Sequence, residues 1–285
     1  MLRIHTGLYH FDYCSQAPHV DEAVKIIYGD VPELDQPVDF KIRIIFESLV
    51  RRFIKPQVSF FSDQHSPFKP LPVSQAAAVL EWGMNWCIAA HEYNKLLIHA
   101  AVLVKNGKAI IFPALPGSGK STLTAYLGLA GWSTYSDEMA VIDTQSGQVS
   151  PLYRPVCLKN NSIELVKSWH PAANFTPICR DTQKGDVAHV KVMDWQRYQS
   201  LIPVPIVAVV FPKYRANTEL TIYQLSHLDA FNVLSKNAFN YNVLAKKGFE
   251  TVDKIIRNTA HFEIEYDNVA DVDDFLTEDI IESCR

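Results

Sequence analysis

The densest chemistry in the sequence lies in the run Pro113-Ala114-Leu115-Pro116-Gly117-Ser118-Gly119-Lys120-Ser121-Thr122. Glycines at 117 and 119 let a backbone curl round an anion without Cβ clashes. The peptide N–H groups of such a turn point inward, at the positive end of a following helix. Lys120 then reaches the β- and γ-phosphates of a nucleotide, and the Ser121 hydroxyl takes one place on Mg²⁺. Pro116, Gly117, Ser118, Gly119, Lys120, Ser121 and Thr122 are the expected nucleotide contacts of this P-loop (Walker A) pattern. Ala114 stands where the motif usually has its first glycine, which removes none of the phosphate-binding groups. Seventeen positions after Lys120 comes the acidic pair Asp137-Glu138. Phosphoryl transfer uses one carboxylate to hold Mg²⁺ and one to take the acceptor hydroxyl's proton. An adjacent pair supplies both; Asp137 and Ser121 are the expected metal ligands, and the sequence does not fix which acid of the pair is the base. Ordinary turn capping is the other account of the pair.

These residues need a strand, a turn and a helix around them. The apolar stretch Ala109-Ile110-Ile111-Phe112 reads as the strand, and Leu123 to Leu129 continues as the helix. Leu96 to Val104 reads as the preceding strand, joined by Asn106-Gly107, a strong hairpin signal. The loop strand is therefore expected to be antiparallel to its predecessor, in a mixed sheet. Ser133 to Ser136 is a short strand that ends at the acidic pair. It is polar, unlike the corresponding strand of transporter-type ATPases. Further strands are expected over Met139 to Asp143, Gln148 to Leu158, Ile206 to Phe211, Leu220 to Leu225 and His261 to Tyr266. Helices are expected over Leu228 to Phe239, Tyr241 to Ile256 and Val272 to Ile281. The acidic residues of the last, from Asp271 to Glu282, read as a solvated face.

Upstream, Val20 to Tyr28 suits a short helix with Val24, Ile26 and Ile27 inward, and Asp39 to Phe46 alternates as a half-buried strand does. Phe53 to Phe61 reads as another strand. Ser74 is placed to cap a long buried helix from Gln75 to about Tyr93. Its Trp82 and Trp86, four apart, read as core rather than as a ligand cradle.

The chain has 285 residues, 48% hydrophobic and 20% charged, so a packed core is expected. Net charge is −4 without a long basic run, which argues against nucleic acid as a partner. Cys14, Cys87, Cys157, Cys179 and Cys284 are scattered, which suggests neither a disulfide framework nor a zinc site. With no signal-like start and no spanning segment, the expected location is the cytoplasm, without membrane contact.

Beyond the loop, several stretches carry a family resemblance: Arg51-Arg52-Phe53 with Pro56-Gln57-Val58, Leu80 to Cys87, Leu97-Ile98-His99-Ala100-Ala101-Val102 and Ser136-Asp137-Glu138. Arg154-Pro155, Lys184-Gly185, Phe211-Pro212-Lys213-Tyr214 and Asn237-Ala238-Phe239-Asn240-Tyr241 add to them. The sequence resembles the HPr kinase/phosphorylase superfamily, closest to its HPr kinase-related "kinase A" branch, whose nucleotide fold is shared with phosphoenolpyruvate carboxykinase. The resemblance implies a magnesium and acid/base role for Asp137-Glu138 and places His99 near the reacting phosphate. A strand histidine that hydrogen-bonds a neighbour is the other account of His99. Lys184 is either a positive charge for the phosphoryl group or part of a surface turn. Arg154 and Lys159 are either phosphate contacts or solvated charges. The glycine-rich signature that engages HPr itself is not found after Asn160, so the resemblance implies ATP and Mg²⁺ without naming the acceptor.

The expectation is thus an α/β protein with two domains. A small α+β domain spans 1–94, and an HPr kinase-like nucleotide domain with a mixed sheet spans 95–285. Its expected activity is transfer of the γ-phosphoryl of ATP to a hydroxyl on a protein serine or small molecule, with Asp137, Glu138, His99 and Lys120 catalytic. A non-catalytic ATP-binding switch is the alternative. Homo-oligomeric assembly is left open.

Overall fold

The computed structural model describes residues 2–33 and 35–283, and Cys284 lies outside them. The chain is an α/β protein with mixed sheets and no barrel among the described residues. None of their helices is long and apolar enough to cross a membrane. They divide into two compact units, each built from two stretches: Met1–His91 with Tyr153–Gln199, and Glu92–Leu152 with Ser200–Arg285. The first change of unit falls close to the expected boundary at 94. Residues 153–199, expected in the second domain, group with the first unit instead.

The first unit begins with β1 (Leu2–His5), β2 (His10–Ser15), α1 (Pro18–Tyr28), β3 (Phe40–Ile45), α2 (Leu49–Phe53), β4 (Gln57–Ser62), β5 (Leu71–Pro72) and α3 (Ala76–His91). Its strands form one sheet in sequence order, antiparallel except for the β2–β3 pair. Alternation drives this: in β3, Ile42 and Ile44 are buried while Lys41 faces solvent. Helix α1 buries Val20, Ala23 and Ile27, at helical spacing, so Val24 and Ile26 lie off the inward face. The strand expected from Phe53 starts only at Gln57, because Ser48 caps a short helix by accepting a bond from the Arg51 N–H. Ser74 caps nothing; it sits inside a 3₁₀ turn, Val73–Gln75, that leads into α3. Trp82 packs against the cluster of Ala23, Ala77, Ala78, Cys157, Cys179 and Val187, a core role.

The second unit then supplies β6 (Lys95–Ile98), β7 (Ala100–Lys105), β8 (Lys108–Pro113), α4 (Lys120–Leu129), β9 (Ser133–Ser136), β10 (Ala140–Asp143) and β11 (Val149–Ser150). The chain returns to the first unit for β12 (Val156–Lys159), α5 (Asn161–Trp169), β13 (Asn174–Phe175), β14 (Cys179–Thr182), β15 (Gly185–Lys191) and α6 (Trp195–Tyr198). There β15 pairs antiparallel with β12, β13 and β14. The second unit closes with β16 (Ile206–Tyr214), β17 (Thr221–Gln224), α7 (His227–Lys236), α8 (Tyr241–Leu244), α9 (Lys246–Asn258), β18 (Ala260–Tyr266), α10 (Val269–Phe275) and a π-helical run, Leu276–Glu282. The helix expected from Tyr241 to Ile256 is broken at Ala245, which has φ +49°.

Six strands of this unit form one sheet in the order β17-β18-β16-β8-β7-β9. Strands β8, β16 and β18 are parallel, while β7 runs antiparallel to β8 and β9. Asn106 and Gly107, at φ +53° and +72°, close the β7–β8 hairpin as a primed turn requires. Successive residues of β7 then serve opposite faces. Ala100, Val102 and Val104 join a core with Leu234 of α7 and Val252 of α9; Ala101 and Leu103 join one with Leu123 of α4 and Phe275 of α10. Asp273, expected on a solvated face, accepts the Trp132 indole N–H at 2.8 Å. The stretch expected as one strand, Leu96 to Val104, breaks at His99. Before it, β6 pairs with β10 in a separate three-stranded sheet.

Candidate functional site

The register of the six-stranded sheet brings the candidate residues to one edge. Ala100, the first residue of β7, pairs with Pro113, the last of β8, and Val102 pairs with Ser136, the last of β9. His99, the loop from Ala114 and the acidic pair from Asp137 therefore leave the sheet on the same side. Strands β16 and β18, parallel to β8, end there too, with Tyr214 opposite Tyr266. The carboxyl ends of parallel strands are where open α/β sheets take their ligands.

The loop connects β8 to α4 through two left-handed glycines, Gly117 at φ +87° and Gly119 at φ +85°. It is pinned by the Tyr214 N–H, which donates to the Ser118 carbonyl at 2.9 Å, and by the Leu123 N–H, which donates to that of Gly119 at 3.0 Å. The N–H groups that open a helix such as α4 have no acceptor within it, so they remain available to an anion. The Ser118 hydroxyl is buried without a hydrogen-bond partner among the described residues. Tyr266 backs the loop. Burial, then the neighbouring Tyr214, push its hydroxyl well above the usual phenol range, so it stays protonated.

Gly117 and Gly119 differ in their surroundings. A Cβ at Gly117 meets nothing within 4 Å, whereas one at Gly119 comes within 2.7 Å of the Tyr266 hydroxyl and 2.9 Å of the Tyr214 Cβ. Gly117→Ala is expected to cost about 1–2 kcal/mol, from the left-handed conformation alone. Gly119→Ala adds overpacking of roughly 1–3 kcal/mol. Urea unfolding of the two variants checks the ranking. Tyr266→Phe should return part of the Gly119→Ala loss by removing the nearest atom.

At the start of α4, Lys120 and Ser121 both reach Asp137. The Lys120 ammonium lies 3.3 Å from Asp137 Oδ1 and also donates to the Asp137 carbonyl. The Ser121 hydroxyl donates to Oδ2 at 3.0 Å. Asp137 is only 1% exposed, so this carboxylate is shielded from water and bound on both oxygens. Thr124 steadies the helix turn by donating to the Lys120 carbonyl at 2.8 Å. Glu138 follows, half-buried, and Thr122 is half-buried on α4.

His99 is held by a strap that includes the Asn237-to-Tyr241 stretch. Its N–H donates to the Asn237 carbonyl at 2.7 Å, and the Phe239 N–H donates to the Leu97 carbonyl at 2.9 Å. The Phe239 ring stacks on the imidazole at 5.6 Å. Buried Asn240 fixes the strap, accepting from the Leu97 N–H at 3.0 Å and donating to the carbonyls of Glu92 and Lys95.

The structure thus brings Lys120, Ser121, Asp137, Glu138 and His99 to one sheet edge. The remaining candidates belong to the first unit. Arg154 is not a solvated charge: its guanidinium sits 2.6 Å from Glu81 Oε2, with both side chains under 10% exposed. Lys184 lies over the Trp82 ring at 4.9 Å, and the Lys159 N–H donates to the Ser162 hydroxyl. Sequence reading missed the loop-backing tyrosines. Tyr214 stands in a stretch that was singled out, whereas no local pattern marks Tyr266. No family model matches this chain, and a search of the curated proteins returns no match.

Proposed function

We propose that this chain is an ATP-dependent, Mg²⁺-assisted kinase of the HPr kinase-like type, which phosphorylates a hydroxyl on a protein serine or a small molecule. The observation that carries the proposal is the Lys120–Asp137–Ser121 cluster at the foot of the glycine-rich loop. The Ser121 hydroxyl and the Asp137 carboxylate are hard oxygen donors 3.0 Å apart, the donor set that suits Mg²⁺. Bound there, Mg²⁺ would neutralise charge on the β- and γ-phosphates. Lys120 and the loop amides hold the phosphate oxygens. With Asp137 beside Ser121 as the metal ligand, the second acid of the pair, Glu138, serves as the base. The acceptor oxygen forms a bond to the γ-phosphorus as the bond to the β,γ-bridging oxygen breaks; ADP leaves, and the acceptor proton passes to Glu138. His99, held on its strap, orients the acceptor.

Labelled ATP, incubated with cell extract and with small hydroxyl compounds, tests the reading. Label should reach an acceptor only with Mg²⁺ present. Asp137→Asn and Glu138→Gln should each slow transfer at least a hundredfold, the lower range for loss of a positioned acid or base. Label released only as free phosphate, or transfer at the wild-type rate in both variants, would sink the proposal.

The same cluster favours a second reading. Nucleotide phosphates would draw on the ammonium that Lys120 directs at Asp137, so binding would rearrange a buried pair. A switch that uses this exchange would bind ATP and change its affinity for a partner without labelling any acceptor.

A further inference from the structure

The stretch Arg51-Arg52-Phe53 has no part in the candidate site. Every residue from 47 to 56 is exposed, and α2 contributes no buried side chain. Leu49, Val50, Phe53 and Ile54 are 74%, 63%, 75% and 65% exposed. Helical spacing puts Leu49, Val50 and Phe53 on one side of α2 and Arg51 and Arg52 on the other; Ile54 follows as the extended residue that ends the helix, with Lys55 just beyond. The Arg52 guanidinium lies 5.7 Å from the Phe53 ring centre, so the charge edges the apolar face. Around these three cations the stretch holds one carboxylate, Glu47. The Ser48 cap and the adjoining strands β3 and β4 hold the turn in place.

Exposed apolar clusters of this kind mark interaction surfaces. We propose that α2 docks the protein on an anionic lipid bilayer, with Leu49, Val50, Phe53 and Ile54 entering the interface and Arg51, Arg52 and Lys55 at the headgroups. Shape and charge select this occupant. A bound peptide helix needs a concave apolar groove, whereas these side chains project. A second copy packed about a two-fold axis would set the same three cations against themselves. A bilayer yields to a protruding apolar turn and supplies the opposite charge. Such a surface is independent of any spanning segment, and it departs from the expectation of no membrane contact. It is also independent of the kinase reading, since no residue of the loop or the acidic pair takes part.

Flotation of the full chain with lipid vesicles tests the proposal. The vesicles are phosphatidylcholine alone, or the same lipid with roughly one-third phosphatidylglycerol. The protein should float with the second kind at low salt and much less at high salt. Each cation near an anionic surface contributes about a fivefold gain in partition, so Arg51→Gln with Arg52→Gln should lower it at least tenfold. Leu49→Ser with Phe53→Ser should do so equally on the apolar side. Both pairs should unfold in urea like the wild type, because none of the four residues is buried. The proposal fails if the protein ignores the anionic vesicles, if neutral ones take it up as well, or if both variants float like the wild type. It also fails if the wild type forms dimers that the Leu49/Phe53 variant cannot, since the patch would then be an interface between copies.

Discussion

Glu81→Ala is expected to destabilise the first unit by about 3–5 kcal/mol, the usual result of stranding one partner of a buried ion pair. The Arg154 guanidinium reaches Glu81 Oε2 from Nε at 3.1 Å and from Nη2 at 2.6 Å, and Nη2 also donates to the Glu81 carbonyl at 2.9 Å. Tyr28 donates its hydroxyl to the same carboxylate at 3.1 Å. Burial, then the Glu81 charge, hold that phenol protonated far above its ordinary range. Removing the carboxylate takes away the anion that the Arg154 guanidinium and the Tyr28 phenol share. Such a loss is a large part of the stability of an ordinary domain. Glu81→Leu with Arg154→Met and Tyr28→Phe should recover most of it, because an apolar cluster of similar volume avoids the desolvation cost and strands no hydroxyl. Urea unfolding followed by fluorescence of the unit's tryptophans reads both outcomes. A change below about 1 kcal/mol in the single variant would place the pair among solvated surface ion pairs.

That pair also shows where sequence reading stops. Arg154, taken alone, is a charged residue beside a strand, and such residues are mostly exposed. Its partner lies 73 positions away in α3, and nothing local announces the meeting. The loop is the opposite case. Strand, turn and helix lie within some twenty residues, and each glycine is required by a backbone angle that other residues rarely adopt. The Asn106-Gly107 hairpin was legible for the same reason, and it makes the sheet mixed. The break at His99 was not, because Leu96 to Val104 is one apolar run apart from that residue. Only pairing shows that its two ends join different sheets. Helix α2 misled the reading through composition. Phe53 and Ile54 suit a strand, but the Ser48 cap, with Pro56 after the helix, keeps the turn helical. The return of residues 153–199 to the first unit has no linker signature; it rests on contacts distant in sequence, Arg154 with Glu81, Lys191 with Asp30, and Cys157, Cys179 and Val187 clustered with Ala77 and Ala78.

Lys120→Ala should abolish phosphoryl transfer, by on the order of a thousandfold or more, or roughly 4 kcal/mol at the transition state. ATP affinity should fall by about 2–4 kcal/mol, the scale of a lost charge-assisted contact in a shielded site. The same substitution acts on the protein without nucleotide. Lys120 pairs with a carboxylate that is 1% exposed, so its loss removes the ion pair from a buried charge. Stability should therefore drop in the single variant. Adding Asp137→Asn removes the buried negative charge and should restore much of the stability. It cannot restore transfer, because the residues proposed to hold the phosphates and Mg²⁺ are then both gone. The two readouts thus part company in the double variant. Thermal unfolding with and without Mg·ATP separates them: wild type should gain stability with ligand, as selective binding to the folded state demands. Neither the single nor the double variant should gain. If the double variant recovered transfer along with stability, Lys120 and Asp137 would be a structural pair and the chemistry would lie elsewhere. If Lys120→Ala bound Mg·ATP as tightly as wild type, the loop would not be a phosphate site at all.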